Sequence, residues 1–597
     1  MPGKGSNPQV KVPKKSSRVQ RRRLPRNVGV FSVNFCRNAQ CSLFGIPLYP
    51  YGRRGVRGSA SAGRNQPHGK VIGSGSDRTF VCPACGTAHA IKSNLAIAEE
   101  YSRLSDLYRR TKRETCQNAS CRNHRLPIGL MPSAYRLFGK TAKGDARYQC
   151  KACRKTFSLG LPTRRHKKTD KTGTIMRGLV NKMAMSRLCE AAQVTFPHIH
   201  SKIDFLFNQC LAFAGEREAR LHQCFEGKEP FFSTDAQTIL VNWPIKNRRG
   251  TVPLLHMATV HKSSQFVVAA TIDYDPDIDP EELEKAMDAV GDFAKPRSMR
   301  RFARLWPASE YRASVAKRLR HIFTREDLAA GGKYELPGRG SRVRGDIFHY
   351  AHMMLVKKLV GRSYRVANFC VDAESGLANA IAALSVDEVK AGKVNIAEIS
   401  FSKGLTNDER AALAVEGRKR YREELKRFAA EIAQIQVEYP DIEDEEALAV
   451  HILRLTCGPG PQPARGKMLA TIGLDWPYHS KAEPEKTIRL KTDIGLMDWD
   501  GLAKFMTRAS IHPVDAYFNL ARRRIAGFER GLPTASNRQR IWHAYSFYNP
   551  EMVPKLATIL RFYHNYMLPR GKEKATPAMK LGLARGIVYE RDLFGFG

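Results

Sequence analysis

FFSTDAQTILVNW, residues 231–243, is the stretch on which the reading of the fold turns. Two aromatics, a small polar pair and one aspartate precede apolar residues that alternate loosely with polar ones. This is the pattern of a β-strand that is at least half buried. Asp235 is the odd residue in it. A carboxylate inside such a strand is costly to bury unless something pairs with it. An arginine would make it a structural ion pair. A divalent cation would make it a ligand, since hard cations take carboxylate oxygens.

Downstream, residues 254–261 and 266–272 are two further apolar runs, joined by short basic, Gly and Ser segments. Together with the first run they predict a three-stranded antiparallel meander. A polar, helical stretch follows at 273–345, with Arg297, Arg300, Arg301 and Arg304 among its basic residues. A helix is predicted over 346–360, a strand over 365–372 (RVANFCVD), a helix over 377–384 and a strand over 394–400. The order β-β-β-α-β-α-β is that of an RNase H-like α/β domain, in which an acid on the first strand lies beside one at the end of the fourth. Asp372 stands at that second position, where the alternative reading is an ordinary helix-capping aspartate.

After 405 the pattern turns helical. Tyr421, Leu425, Phe428, Ile432, Ile435 and Tyr439 form a heptad-like stripe, which either packs on its own domain or joins two chains. A helix is then expected over 513–530 (PVDAYFNLARRRIAGFER), with Asp515 at its start and Arg522, Arg523 and Arg524 on a basic face. Two-metal phosphoryl transfer needs carboxylates on both sides of two ions about 4 Å apart. Asp235, Asp372 and Asp515 are the three acids that this order offers for a Mg²⁺ (or Mn²⁺) pair; Glu374 and Glu398 are alternatives for the third.

Upstream lies an internal repeat. The first copy has Cys36 and Cys41 (FCRNAQC), then Cys82 and Cys85 (VCPAC); the second has Cys116 and Cys121 (TCQNASC), then Cys150 and Cys153 (QCKAC). Each pairs a Cys-x4-Cys knuckle with a later Cys-x2-Cys, a spacing that closes a tetrahedral zinc site, so about two Zn²⁺ per chain are expected. Both copies share Asn-Ala inside the first knuckle. Lys151, Arg154 and Lys155 face outward from the second hairpin. Residues 185–203 fit a helix-turn-helix, with Ser186 capping the first helix, Pro197 opening the second, and His198, Ser201 and Lys202 facing DNA. Residues 1–30 form a basic tail containing Arg21, Arg22 and Arg23, with no acid before Asp77. Such a tail buries too little to order itself without a polyanion.

The chain has 597 residues, with Lys+Arg 99 against Asp+Glu 57, a net charge of +42. That excess points to nucleic acid, because each phosphate contact releases counterions. No apolar run approaches the roughly 20 residues needed to span a bilayer. No secretion signal is expected, since the basic N-terminus has no apolar segment behind it. The paired cysteines suit metal and a reducing compartment better than disulfides. The remaining five of the 13 cysteines sit in apolar contexts and are expected in the core.

The expected division is a tail (1–30), zinc ribbon 1 (31–100), zinc ribbon 2 (101–165), a helix-turn-helix (166–225) and an RNase H-like domain in three parts (226–272, 346–405, 508–545). Insertions at 273–345 and 406–507 interrupt that domain, and a helical C-terminal segment (546–597) follows. The ribbon ending YQCKACRKTFS, the helix-turn-helix, STDAQ (233–237), NFCVDAESGLANAI (368–381), HPVDAYFNLARRR (512–524) and ATPAMKLGLARG (575–586) together resemble bacterial insertion-sequence DDE transposases with an N-terminal zinc ribbon. Their order carries the resemblance. In that family the third acid is usually Glu, seven residues before an Arg; here Asp515 stands seven before Arg522. The resemblance implies binding of terminal inverted repeats in double-stranded DNA, metal-dependent strand cleavage and strand transfer, with Arg522, Arg523 and Arg524 clamping phosphates. It also implies a homo-oligomer in the bacterial cytoplasm, associated with the nucleoid. A DNA-binding repressor or domesticated relative without catalysis is the alternative.

Overall fold

Seven strands build one mixed sheet at the centre of the chain. They are β1 (Phe231–Asn242), β2 (Thr251–His261), β3 (Val267–Ile272), β4 (Ala367–Asp372), β5 (Val394–Ser400), β6 (Leu474–Asp475) and β7 (Thr487–Leu490). Their order across the sheet is β6-β7-β5-β4-β1-β2-β3. The first three form the antiparallel meander, with Asp235 opposite Ala258. β4 lies parallel between β1 and β5, and β7 and β6 close the far edge antiparallel. The computed structural model describes residues 24–47, 70–73, 77–108, 114–124, 126–128, 131–142, 144–158, 162–163, 166–242, 250–321, 334–373, 376–458, 462–530 and 545–596.

β3 and β4 are buried at every residue. A strand covered on both faces reads as a continuous apolar run, as VVAATI does. Phe232, Phe369, Val371 and Ile396 face one core with the helix Gly345–Val360. Phe231, Cys370, Ala397 and Ile399 face another with the helices Trp499–Arg508 and His512–Arg524. A buried hydrogen-bonded chain ties the meander to the first helix. Thr234 Oγ1 meets Thr259 Oγ1 at 2.8 Å, and the His352 ring bridges Thr259 and Thr271 at 2.9 and 2.8 Å. The backbone beside Asp235 is therefore fixed from behind.

The insertion at 406–507 departs from its expected all-helical form. Its TIRL segment supplies β7, which pairs with β5 and covers what would be an open sheet edge. The stripe from Tyr421 to Tyr439 packs into the second core, so the intradomain reading holds for it. The insertion at 273–345 spends its arginines internally. Arg304 pairs with Glu100 and Asp275, Arg300 with Glu310, and Arg301 with Glu99. Glu99 and Glu100 belong to the helix Asn94–Tyr108, which packs on Gly345–Val360 and spans the expected boundary between the two ribbons.

The helices Met185–Ala192 and Phe196–Glu218 are joined by a short turn in which Gln193 takes a left-handed conformation (φ 53°). Ser186 lies inside the first helix rather than at its cap, which is Ala184. The C-terminal helix Met552–Phe562 packs along Phe196–Glu218. There Arg561 pairs with Glu218 in a fully buried contact that Tyr566 joins at 3.1 Å.

Candidate functional site

The two cysteine quartets have the dimensions of metal sites. Cys36, Cys41, Cys82 and Cys85 form one group, and Cys116, Cys121, Cys150 and Cys153 the other, with all ligand atoms of each within 4.8 Å. Sulfur separations are 3.7 Å for Cys36–Cys85 and Cys41–Cys82, 3.3 Å for Cys116–Cys153 and 3.7 Å for Cys121–Cys150. A disulfide needs about 2.05 Å. A tetrahedron with Zn–S bonds of about 2.3 Å has edges of about 3.8 Å. Both groups could therefore hold zinc.

The repeated Asn-Ala has a local cause. The Asn38 side chain accepts from Gln40 N at 3.1 Å and its carbonyl from Cys41 N at 3.0 Å; Asn118 does the same for Ser120 N at 3.4 Å and Cys121 N at 3.0 Å. Each asparagine thus folds the turn that brings its two cysteines together. Burial pushes the Cys150 thiol up, but hydrogen bonds from the Cys153 and Ala152 backbone and from Asn123 outweigh it and bring the thiol to about 6. Cys116, where burial prevails, is raised to about 12. Lys151, Arg154 and Lys155 are exposed on the turn of the second hairpin.

The second site is built of carboxylates. Asp235 and Asp372 sit on adjacent parallel strands, where Thr234 pairs with Val371. Both point to the face covered by His512–Arg524, since Ser233 Oγ, two residues from Asp235, donates to Ser510 O at 2.8 Å. The helix brings Asp515 in its first turn. Two turns further on, Arg522 Nη1 donates to Gln237 Oε1 at 2.7 Å. Seven residues on a helix keep one face, as two residues on a strand do. The pair Asp515–Arg522 therefore lies along the pair Asp235–Gln237.

The Asp235 carboxyl is raised to about 7, chiefly by burial, against a hydrogen bond from the Ala236 backbone; the charges of Asp372 and Asp515 add to the rise and Lys403 opposes it. Burial likewise raises Asp515 to about 6, with Glu483 the largest neighbouring charge, then Lys403, His512 and Asp372. The three acids thus share one electrostatic environment. They do not form a group whose ligand atoms all lie within 4.8 Å; among the described residues only the cysteine quartets do. Lys403 Nζ pairs with Asp372 Oδ2 at 2.8 Å. One buried and two half-buried acids that repel one another, with a lysine as counter-charge, are a donor set that fits a hard divalent cation.

Other expected residues fall elsewhere. Lys202 is a correction: it is 2% exposed and its ammonium finds no hydrogen-bond partner among the described residues, so it does not face DNA. Its helix turns that position inward beside Ile203 and Leu206, under the segment carrying His166. Ser201 is exposed and His198 half-buried. Arg523 is exposed, whereas Arg524 turns back to Asn181 and the Val180 carbonyl. Glu398 pairs with Lys491 at 3.1 Å. Glu374, Arg21, Arg22 and Arg23 lie outside the described residues.

Sequence reasoning missed Lys403 and Glu483. One signal was available for the latter: the helix at 512 is preceded by Ile511, which has no capping side chain. No family model matches the chain, and no curated protein matches it.

Proposed function

We propose that the chain is a DDE-type DNA transposase with an RNase H-like catalytic domain. The observation that carries this reading is the pairing of Asp235 and Asp372 on adjacent parallel strands under a helix that supplies Asp515. The strand order β3-β2-β1-β4-β5, with only the first two pairings antiparallel, supports the fold assignment.

In this reading Asp235, Asp372 and Asp515 would hold a pair of Mg²⁺ or Mn²⁺ ions, which when bound would neutralise the phosphodiester and lower the pKa of water. Lys403, which pairs with Asp372 and acts on the charges of Asp235 and Asp515, would offer its ammonium to a phosphate oxygen. Arg522 and Arg523 lie along the path of the DNA backbone from the site. Water attacks phosphorus at the element end and the P–O3′ bond breaks, the water's proton passing to O3′. The freed 3′-hydroxyl then attacks a target phosphodiester, whose own P–O3′ bond breaks to release a target 3′-hydroxyl that takes the proton. The ribbons and the 185–218 helices grip double-stranded element ends. Two or more chains bring two ends together, in a bacterial cytoplasm.

A second reading, a DNA-binding protein without cleavage, is favoured by the Lys403–Asp372 pair and by the wider spacing of the three acids. One assay separates them: incubation with the DNA that flanks the protein's own coding sequence, with Mg²⁺ or Mn²⁺. The transposase reading expects cuts at the element ends by wild type and at least a thousandfold less by Asp235→Ala, about 4 kcal/mol of barrier. Binding without cutting in every metal supports the second.

A further inference from the structure

The helix that carries Asp515 has only one local side-chain acceptor at its start among the described residues, Ser510 Oγ, which accepts from His512 N at 3.1 Å. The first backbone N–H groups of any helix lack intrahelical partners, and here the residue at the cap position is Ile511, with no side-chain cap. The acceptor for Ile511 N, and a second one for His512 N, comes from the 406–507 insertion. Glu483 Oε1 accepts from Ile511 N at 2.7 Å, from His512 N at 3.0 Å and from Ser510 Oγ at 2.8 Å. Its side chain is 4% exposed.

The surroundings make this a clamp rather than a lone contact. Lys486 Nζ lies 3.4 Å from Glu483 Oε2 and donates to Ala509 O at 2.9 Å. From the sheet side, Lys262 Nζ donates to Arg508 O at 2.6 Å and Ser233 Oγ to Ser510 O at 2.8 Å. The Glu483 segment also touches the turn that holds Lys403: Ser402 N donates to Pro484 O at 3.0 Å. One short segment, 483–486, is thereby bonded both to the start of the Asp515 helix and to the turn beside Asp372.

We propose that Glu483 is a positioning residue of the carboxylate site: through its three accepted hydrogen bonds it sets the helix that brings Asp515 to Asp235 and Asp372. This rests on the carboxylate-site reading above. It gives the second insertion a role, since the insertion both closes the sheet edge and sets the third acid. A residue that holds a ligand-bearing element costs metal affinity about 10–100-fold when lost. Glutamine keeps the accepting oxygen, so it preserves the clamp.

The test is Mn²⁺ alone, titrated into the full chain and followed by electron paramagnetic resonance. Wild type is compared with Glu483→Ala, Glu483→Gln, Ser510→Ala and Asp235→Ala, with zinc content and cooperative unfolding measured in parallel. The expected result is affinity at least about tenfold weaker in Glu483→Ala, within about threefold of wild type in Glu483→Gln, and a few-fold weaker in Ser510→Ala. Asp235→Ala abolishes binding. Wild-type affinity in Glu483→Ala, with binding lost in Asp235→Ala, overturns the role of Glu483 and leaves the site standing. Equal losses in Glu483→Gln and Glu483→Ala overturn it too, because the accepting oxygen then does not matter. If Glu483→Ala does not fold, Ser510→Ala decides: weakened binding upholds the clamp and unchanged binding overturns it. Binding in Asp235→Ala equal to wild type, or none in wild type, removes the carboxylate site and this inference with it.

Discussion

Asp235 stands in the middle of a strand, next to two other acids, with its carboxyl raised to about 7. The unfolded chain releases that proton near 4. Between about pH 4 and 7 the folded protein therefore binds more protons at this position than the unfolded one, and stability falls as pH rises through the window. Asp235→Asn removes the unfavourable charge. In chelator at pH 8 we expect it to unfold later than wild type, by about 1–3 kcal/mol in denaturant titrations, with no advantage at pH 4. Mn²⁺ at pH 8 stabilises wild type and leaves Asp235→Asn unchanged. A variant less stable than wild type at both pH values would show that Asp235 is held by a satisfied ion pair.

At the scale of elements, the two cysteine quartets differ in what they support. The first ribbon is wired to the body: Gln40 Nε2 donates to Asp493 O at 2.6 Å, the Arg37 guanidinium lies over the Tyr350 ring, and Lys92 pairs with Asp346 at 2.8 Å. The second has its own small core around Tyr135 and Phe157. Two zinc ions per chain are expected by metal analysis, and Cys82→Ser and Cys150→Ser are each expected to reduce that to one. Only Cys82→Ser is expected to lower the main unfolding transition, by several degrees; equal effects would contradict the different wiring. The C-terminal segment gives a sharper case. Arg561→Ala strands Glu218 in a buried place without its counter-charge, so a loss of about 3–5 kcal/mol is expected in equilibrium unfolding.

These elements also show what could be read in the chain. FFSTDAQTILVN, RVANFCVD and VNIAEIS betrayed their strands because burial on both faces selects β-branched and aromatic runs. The cysteines were legible because tetrahedral ligation fixes their spacing. TIRL was not legible as a strand: four residues, next to the sheet edge, carry too little pattern, and charged neighbours mask it. Lys202 misled because helix phase, not residue type, decides which way a lysine points. Glu483 and Lys403 were hidden for a different reason: their roles arise from contacts 28 and 31 residues along the chain, which no local pattern records.

For the whole molecule, the charge of +42 is a statement about partners. Many of its arginines are consumed internally, as Arg300, Arg304, Arg342 and Arg561 show. The free excess lies on exposed positions such as Lys151, Arg154, Lys155 and Arg523. No helix among the described residues is long and apolar enough to cross a membrane. If DNA neutralises this surface, affinity for duplex DNA drops on the order of a thousandfold between about 50 and 200 mM salt, linearly in the logarithms. A flat salt dependence in a filter-binding series would argue against DNA as the polyanion.

The most direct measurement is a crystal grown with Mn²⁺ and read by anomalous scattering at the manganese edge. The account predicts anomalous density about 2–2.5 Å from the carboxylate oxygens of Asp235 and Asp372, with Asp515 drawn to the same density and Lys403 displaced from Asp372. Density confined to other positions, with Lys403 still on Asp372, would contradict it.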